Sequence, residues 1–451
     1  MFIFTSVIIN SMKILKKVLA VLLVIVVVAV IYNYPKLNIL AGYSAKNTAS
    51  SVFLAKRTLA FTDKTDNNFS PINLASNKID TTTKSATSSA FGLLSRKATF
   101  RQGLGSVLTL SEKDETATYL SPNRALVDYN TPYPYGNGTQ KDTTFNNIDY
   151  SKLKESVESI FNDVNKTRAV VVIYKDKIIA EKYANGFTKD SKILGWSMTK
   201  SITGTLFGVL EYQDKLNVKD KAPIEIWKND ERKLITIHNL LQMNSGLEWD
   251  ENYDEISDAT KMLFLERDMT KQQAIKPLAG KPNETWNYSS GTTNLLSGIL
   301  RKQFKTHQEY LDFWYKDLID KINMNSMVIE ADLEGNYVGS SYGWATPRDW
   351  AKLGLLYLHN GNWNGTQIFS KNWVKYATTP TPTSNGWYGA QIWLNAGNRY
   401  PDVPKNMYSF NGYQGQNVFI LPNEELVIVR MGLTKNADVN LFLKGILNSI
   451  K

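Results

Sequence analysis

Apolar and polar positions change regime three times along the chain. Between Val18 and Ile31 almost every residue is aliphatic, with Lys13, Lys16 and Lys17 before the run and Tyr32 and Tyr34 after it. This pattern predicts a targeting segment over residues 1–34, with the lysines cytoplasmic and the rest exported. The run is shorter than the ~20 residues of a typical spanning helix, so a signal peptide and an uncleaved membrane anchor both fit. The sequence directly after the run offers no clear small-x-small cleavage site, which favours the anchor. Met12 opens a leader of this kind by itself, which would make the first eleven residues a start-site artefact.

Residues 61–90 are rich in Thr, Ser, Asn, Asp and Lys without apolar periodicity, and read as linker or irregular surface. Short apolar stretches return from Phe91 to about Val127, so residues 35–145 are expected to be a linker and an N-terminal extension resting on the main body. The main domain is expected over 146–451. Leu153, Val157, Ile160, Phe161 and Val164 recur at helical spacing, and two β-branched runs, Ala169–Tyr174 and Ile178–Tyr183, flank the turn Lys175-Asp176-Lys177. Near the other end, Asn417–Leu421 and Leu426–Met431 form a second apolar hairpin. A closing amphipathic helix carries Val439, Leu441, Phe442, Ile446 and Leu447. Strand pairs at both ends around a helical, loop-rich middle predict an α/β fold in which one sheet is completed by both ends of the domain.

The first candidate chemistry lies in Gly195-Trp196-Ser197-Met198-Thr199-Lys200-Ser201. Met198, Ile202, Leu206, Val209 and Leu210 predict a helix beginning near Ser197, with Lys200 one turn along the same face. Ser197 then sits at the positive end of the helix dipole among unpaired N–H groups. A buried lysine loses proton affinity and becomes able to accept a proton near neutrality. The two read as nucleophile and base. An S-x-x-K match also arises by chance in most chains of this length. Gly204 and Gly208 add a smooth helical face for close packing.

Composition narrows the remaining options. Among 451 residues there is no cysteine, which excludes disulfides, thiolate metal sites and a cysteine nucleophile. With only His238, His307 and His359, any histidine-dependent triad has three candidates and a structural zinc site has few ligands. No metal or cofactor is expected. The net charge of +10 comes from scattered lysines, which implies a solvated basic surface rather than a nucleic-acid footprint.

Two further segments have the right character for a cleft. Tyr288-Ser289-Ser290-Gly291 follows a loop and precedes a helical pattern through Leu295, Leu296 and Leu300. Tyr288, its phenolate stabilised by lysine, is a candidate proton relay, although a core tyrosine beside a surface Ser-Ser turn has the same sequence. Asn411-Gly412-Tyr413-Gln414-Gly415-Gln416 places two glycines at a strand edge, where backbone amides can approach a substrate. The amides of Ser197 and of the residue after Gly415 then suit an oxyanion hole. A hairpin turn without a ligand is the alternative.

S-x-x-K, then Y-x-S, then a Gly-flanked strand-edge motif together resemble the serine β-lactamase and penicillin-binding superfamily. The likeness is nearest to its class C-like branch, the family VIII carboxylesterases and the 6-aminohexanoate-dimer hydrolases. Residues 237–247 (Ile237-His238-Asn239 through Ser245-Gly246-Leu247) and Ala345-Thr346-Pro347-Arg348-Asp349 through Gly354 resemble two more elements of that branch. The resemblance spans about residues 146–450. It implies an antiparallel sheet flanked by helices with a mostly helical second subdomain, and a mechanism that needs no histidine.

It further implies Ser197 as the acylated serine, Lys200 as the base, Tyr288 as the catalytic tyrosine, and the amides of Ser197 and Gln416 as the oxyanion hole. Ser290, Tyr413 and Gly415 fall at substrate-binding positions, and Tyr253 lies in a segment resembling a substrate-side element of the nylon-oligomer hydrolases. Ser290 stands where the β-lactamases have asparagine, and Tyr413-Gln414-Gly415 replaces Lys-Thr-Gly, so strong lactam hydrolysis is not expected. Together with the N-terminal segment, the expected function is a serine hydrolase of small amide or ester substrates that is exported, either membrane-anchored or periplasmic/extracellular. A penicillin-binding sensor or a D-alanyl-D-alanine peptidase is the alternative.

Overall fold

The computed structural model describes residues 2–451, with side-chain surroundings from residue 12 onward. The side chains before Met12, on which the start-site reading bears, lie outside that range. Helix α1 spans Phe2–Ala49, so the apolar run continues without a break into the body of the protein. The side chains from Val18 to Ile31 are exposed; Val24, for example, is 61% accessible. From Leu40 onward the same helix is buried.

What buries it corrects the linker expectation. Residues 61–90 contain strands, and a four-stranded antiparallel meander forms from β1 (Ala75–Asp80), β2 (Ser85–Ala90), β3 (Leu94–Arg101) and β4 (Gly105–Leu108). The serines and alanines that look like linker are what let helix and sheet approach closely. Ala41, Ala45 and Ala49 of α1 face Ala86, Ala90 and Ala98 of the strands in one buried cluster. Small side chains on both surfaces leave room for backbone-to-backbone packing rather than for large residues.

The main domain begins with α2 (Tyr150–Ser159), followed by β5 (Ala169–Tyr174) and β6 (Lys177–Tyr183). Helices α3 (Thr199–Tyr212), α4 (Ser290–Arg301) and α5 (Pro347–Leu358) occupy the middle of the chain. Strands β7 (Trp393–Leu394), β8 (Tyr408–Gly412), β9 (Gln416–Leu421) and β10 (Leu426–Met431) precede the closing helix α6 (Val439–Leu447). The six strands form one antiparallel sheet in the order β7-β8-β9-β10-β5-β6, in which β10 pairs with β5 from Leu426↔Tyr174 to Met431↔Ala169. Both ends of the domain therefore complete the sheet.

Strand alternation sorts the two faces. Val170 and Val172 of β5 meet Leu153, Phe442 and Ile446 of α2 and α6. Val171 and Ile173 belong to the other core, with Trp350, Leu353 and Leu356 of α5. Because helices cover both faces, β5, β9 and β10 are buried at every position; β5 reads as an unbroken apolar run, and the other two are interrupted only by Gln416, Asn417 and Arg430. Helix α3 is buried from Thr199 to Leu210. Its two glycines are packing contacts: a Cβ on Gly208 would lie 2.6 Å from the ring of Trp373, and one on Gly204 2.9 Å from Gln391.

Candidate active site

The helix signal near Ser197 resolves into a tighter start than its periodicity predicts. Trp196–Met198 forms a 3₁₀ turn, and the α-helix follows from Thr199. Trp196 takes φ +48°, a conformation non-glycine residues rarely adopt, and this reverses the chain just before the serine. Gly195 permits the reversal, since a Cβ there would meet the indole of Trp350 at 2.2 Å. The 3₁₀ turn brings side chains three residues apart into line. Lys200 Nζ accordingly lies 2.9 Å from Ser197 Oγ.

Two other contacts fix the lysine. Its Nζ donates to Ser290 Oγ (2.9 Å) and to the Ser340 carbonyl (2.9 Å). Asn294 of α4 holds that carbonyl in place by accepting the Ser340 amide (3.1 Å). Lys200 is 1% exposed, and burial lowers its pKa to about 8, with the Glu251 carboxylate acting in the opposite direction. Ser197 itself is half-buried.

Tyr288 ends the loop before α4, and Lys200 Nζ sits 4.9 Å from the centre of its ring. The ring packs on Tyr388 (5.6 Å) and Trp393 (5.1 Å). Burial raises the Tyr288 pKa well above the usual phenol value, as do the charges of Tyr388 and Glu251, while hydrogen bonding with Ser197 works against them; this corrects the expected lysine-stabilised phenolate, since the buried ring is held as a neutral phenol. Ser289 caps α4 by accepting the Thr292 amide, which leaves Ser290 as the first helical residue.

The residue that the sequence does not single out is Glu251. It accepts the Ser290 amide at 2.7 Å, the Ser290 hydroxyl in a short hydrogen bond, and the Trp249 indole N–H at 2.6 Å. A carboxylate at the N-terminus of α4 is favoured by the free amides and the helix dipole there. Glu251, Ser290, Lys200 and Ser197 thus form one chain of hydrogen bonds. A lone acidic residue in a loop has no periodic signature. The only sequence pointer is its place within Trp249–Tyr253, where the resemblance selects Tyr253 instead.

Tyr253 and Tyr413 form the aromatic wall. Their rings stack at 5.1 Å, both meet Trp196 edge-on, and the Tyr253 hydroxyl is 3.3 Å from Ser290 Oγ. The hairpin between β8 and β9 touches the turn before Ser197 through Gly412, whose Cβ, if present, would be 2.0 Å from the Gly195 carbonyl. Gln416 stands across the ladder from Gly412, and its side chain bonds the Gly432 backbone in both directions (2.7 and 3.1 Å). The Gly415 carbonyl accepts from Arg430 Nη1 at 2.7 Å. The three histidines bond elsewhere: His238 with Tyr376, His307 with the Gly335 carbonyl and His359 with Asp176.

A buried amine against a hydroxyl, with a phenol alongside, is the equipment for nucleophilic acyl transfer. The β-lactamase family model matches residues 163–438. In sequence, the chain is 22% identical over 303 residues to the 6-aminohexanoate-dimer hydrolase of Paenarthrobacter ureafaciens, covering 60% of this chain and 74% of that protein. In structure, it is similar to a family VIII carboxylesterase, with TM-score 0.54 and 13% identity over 66% of this chain and 96% of the other. It is also similar to a penicillin-binding protein homologue from Caulobacter crescentus, with TM-score 0.51 and 16% identity over 66% and 95% of the two chains. At these identities the likeness to solved structures is one of fold.

Proposed function

From the premise that the chain belongs to the β-lactamase family and is a serine hydrolase of that fold, we propose that it is exported, held at a membrane by its N-terminal helix, and cleaves amide or ester bonds through an acyl-enzyme on Ser197. The observation that carries the reading is the 2.9 Å contact between Lys200 Nζ and Ser197 Oγ. As an ammonium, Lys200 donates all three protons to its three partners. Once neutral, it has a lone pair for the Ser197 proton. The hydroxyl oxygen then attacks the substrate carbonyl, and the amides of Ser197 and of the 412–416 hairpin, Gln416 among them, receive the developing oxyanion. Lys200 and Tyr288 return the proton to the leaving group, and water repeats the sequence to release the acid.

Ser290, Tyr253 and Tyr413 border the space where substrate is expected. Tyr413 stands where a lactam-hydrolysing relative has a cation, so neutral ester or amide groups suit this site better than a substrate carboxylate. The long exposed apolar stretch of α1 supports anchoring. Ser197→Ala is expected to remove p-nitrophenyl acetate turnover and fluorophosphonate labelling while the melting temperature is retained. Persisting turnover would take Ser197 out of the reaction. A penicillin-binding sensor shares the acylation step but stops there, so repeated turnover distinguishes the two.

A further inference from the structure

Beside the catalytic cluster a cleft of about 550 Å³ opens between α1 and the main domain, within the range of small-molecule sites. One wall is the face of α1 carrying Ile39 and Leu40, and the facing wall includes Phe69, Ile72 and Phe264. The charged groups that border it, Lys36, Asp254 and Glu255, are themselves exposed, so the charges stand at its edge and Ile39, Leu40, Ile72, Ile256 and Phe264 give the interior an apolar strip beside its tyrosines.

The two ends of the cleft differ in a way that assigns its occupant. Its inner end is the stacked pair Tyr253 and Tyr413, and the Tyr253 hydroxyl contacts Ser290 of the catalytic hydrogen-bond chain. The cleft therefore stops one side chain short of the reacting groups. Its outer lip is Tyr32, the residue directly after the exposed aliphatic run of α1. In a membrane-anchored chain that aromatic position lies at the bilayer surface. From Tyr32 to Tyr43, whose ring stacks on Trp196, is eleven residues of helix, about 16 Å at 1.5 Å per residue. A cleft flanked by that stretch of helix, running from the bilayer surface to the tyrosine pair beside Ser290, suits a chain that is already partly in the membrane.

We infer that this cleft receives the acyl chain of a membrane-borne amphiphile and presents the ester or amide carbonyl at its head to Ser197. The assignment rests on the hydrolase and anchor readings above and names their substrate class. The bond formed is from Ser197 Oγ to the acyl carbon, and the bond broken joins that carbon to the polar head. The head leaves with the proton relayed by Lys200 and Tyr288. Water then frees the fatty acid and restores the serine hydroxyl.

The experiment uses the full chain in detergent with p-nitrophenyl esters from acetyl to dodecanoyl. Each methylene taken out of water is worth about a fourfold gain, so kcat/KM should climb at least tenfold across the series. Ile39 on α1 and Ile256 beside Glu255 both line the cleft, and Ile256→Trp and Ile39→Trp, which fill it, should each lower the ratio of dodecanoyl to acetyl kcat/KM at least tenfold. A flat chain-length profile, or a ratio unmoved by both variants, would overturn the assignment. Binding of a fluorescent dodecanoic acid, weakened at least tenfold by either variant, reads the cleft without turnover; unchanged binding in both also overturns it. Absent acetyl turnover and absent fluorophosphonate labelling would instead count against the hydrolase reading.

Discussion

Two opposing effects set the proton affinity of Lys200: burial lowers it to about 8, and Glu251 pulls the other way. A base must be neutral to act, so kcat/KM for p-nitrophenyl acetate should rise with pH through about 8 and level off above it. Replacing Glu251 with glutamine removes a carboxylate that favours the charged lysine. The acid limb of the profile should therefore move to lower pH. The rate should also fall about tenfold, because Ser290 loses a charged partner for its hydroxyl and amide. An unmoved midpoint in the Glu251→Gln profile would show that this carboxylate does not act on the lysine. A moved midpoint would make Glu251 a positioning residue, acting through Ser290 rather than on substrate.

At the scale of elements, the segment after α1 is tied to the sheet by a buried ion cluster. Asp66 accepts from Arg57 Nη1 (3.0 Å) and from Arg168 Nη1 (2.7 Å), just before β5, and Arg57 also reaches the Lys192 carbonyl. Burial alone would raise the Asp66 pKa, but the two guanidiniums outweigh it and hold the carboxyl at about 2. Its folded-state value lies below the unfolded value of about 3.9, so its contribution to stability is present above that pH. The contribution is lost as pH falls toward 2. Asp66→Ala leaves two buried cations without their carboxylate and should cost about 3–5 kcal/mol in urea unfolding at pH 7. A loss below about 1 kcal/mol would show the cluster to be dispensable.

For the whole molecule, α1 has two parts with different jobs. From Met12 to Tyr32 it is exposed, whereas Tyr43, Lys46 and Ala49 are buried against the main domain and the meander. Lys46 pairs with the fully buried Glu330, which also accepts the Ser106 amide (2.7 Å) and the Trp344 indole (2.9 Å). Removal of residues 1–34 should release the enzyme from the membrane fraction with its melting temperature and acetyl-ester activity intact. Removal of residues 1–57 strips Lys46 and Arg57 from buried carboxylates and should yield a protein that melts at least 10 °C lower or fails to accumulate. Equal melting of the two truncated chains would show that α1 is only an anchor.

The apolar leader, the strand runs around Val171, Val418 and Val427, and the pairing of Ser197 with Lys200 were all legible without coordinates. Each is a property of a short segment: aliphatic continuity, burial on two faces, or a three-residue step along one turn. The meander was hidden because its strands pack through Ser and Ala, whose small side chains carry little hydrophobic signal and are common in linkers. Glu251 against Ser290, Gly412 against Gly195, and Tyr43 on Trp196 join residues far apart in the chain. No local pattern encodes such contacts, because they arise only when packed helices and strands fix the distance between otherwise unrelated segments. The sequence by itself determined which polar groups sit one turn apart on a helix; the tertiary structure decided what surrounds them, what shifts the lysine, and which cleft opens beside them, because those distances are set by packing between remote segments.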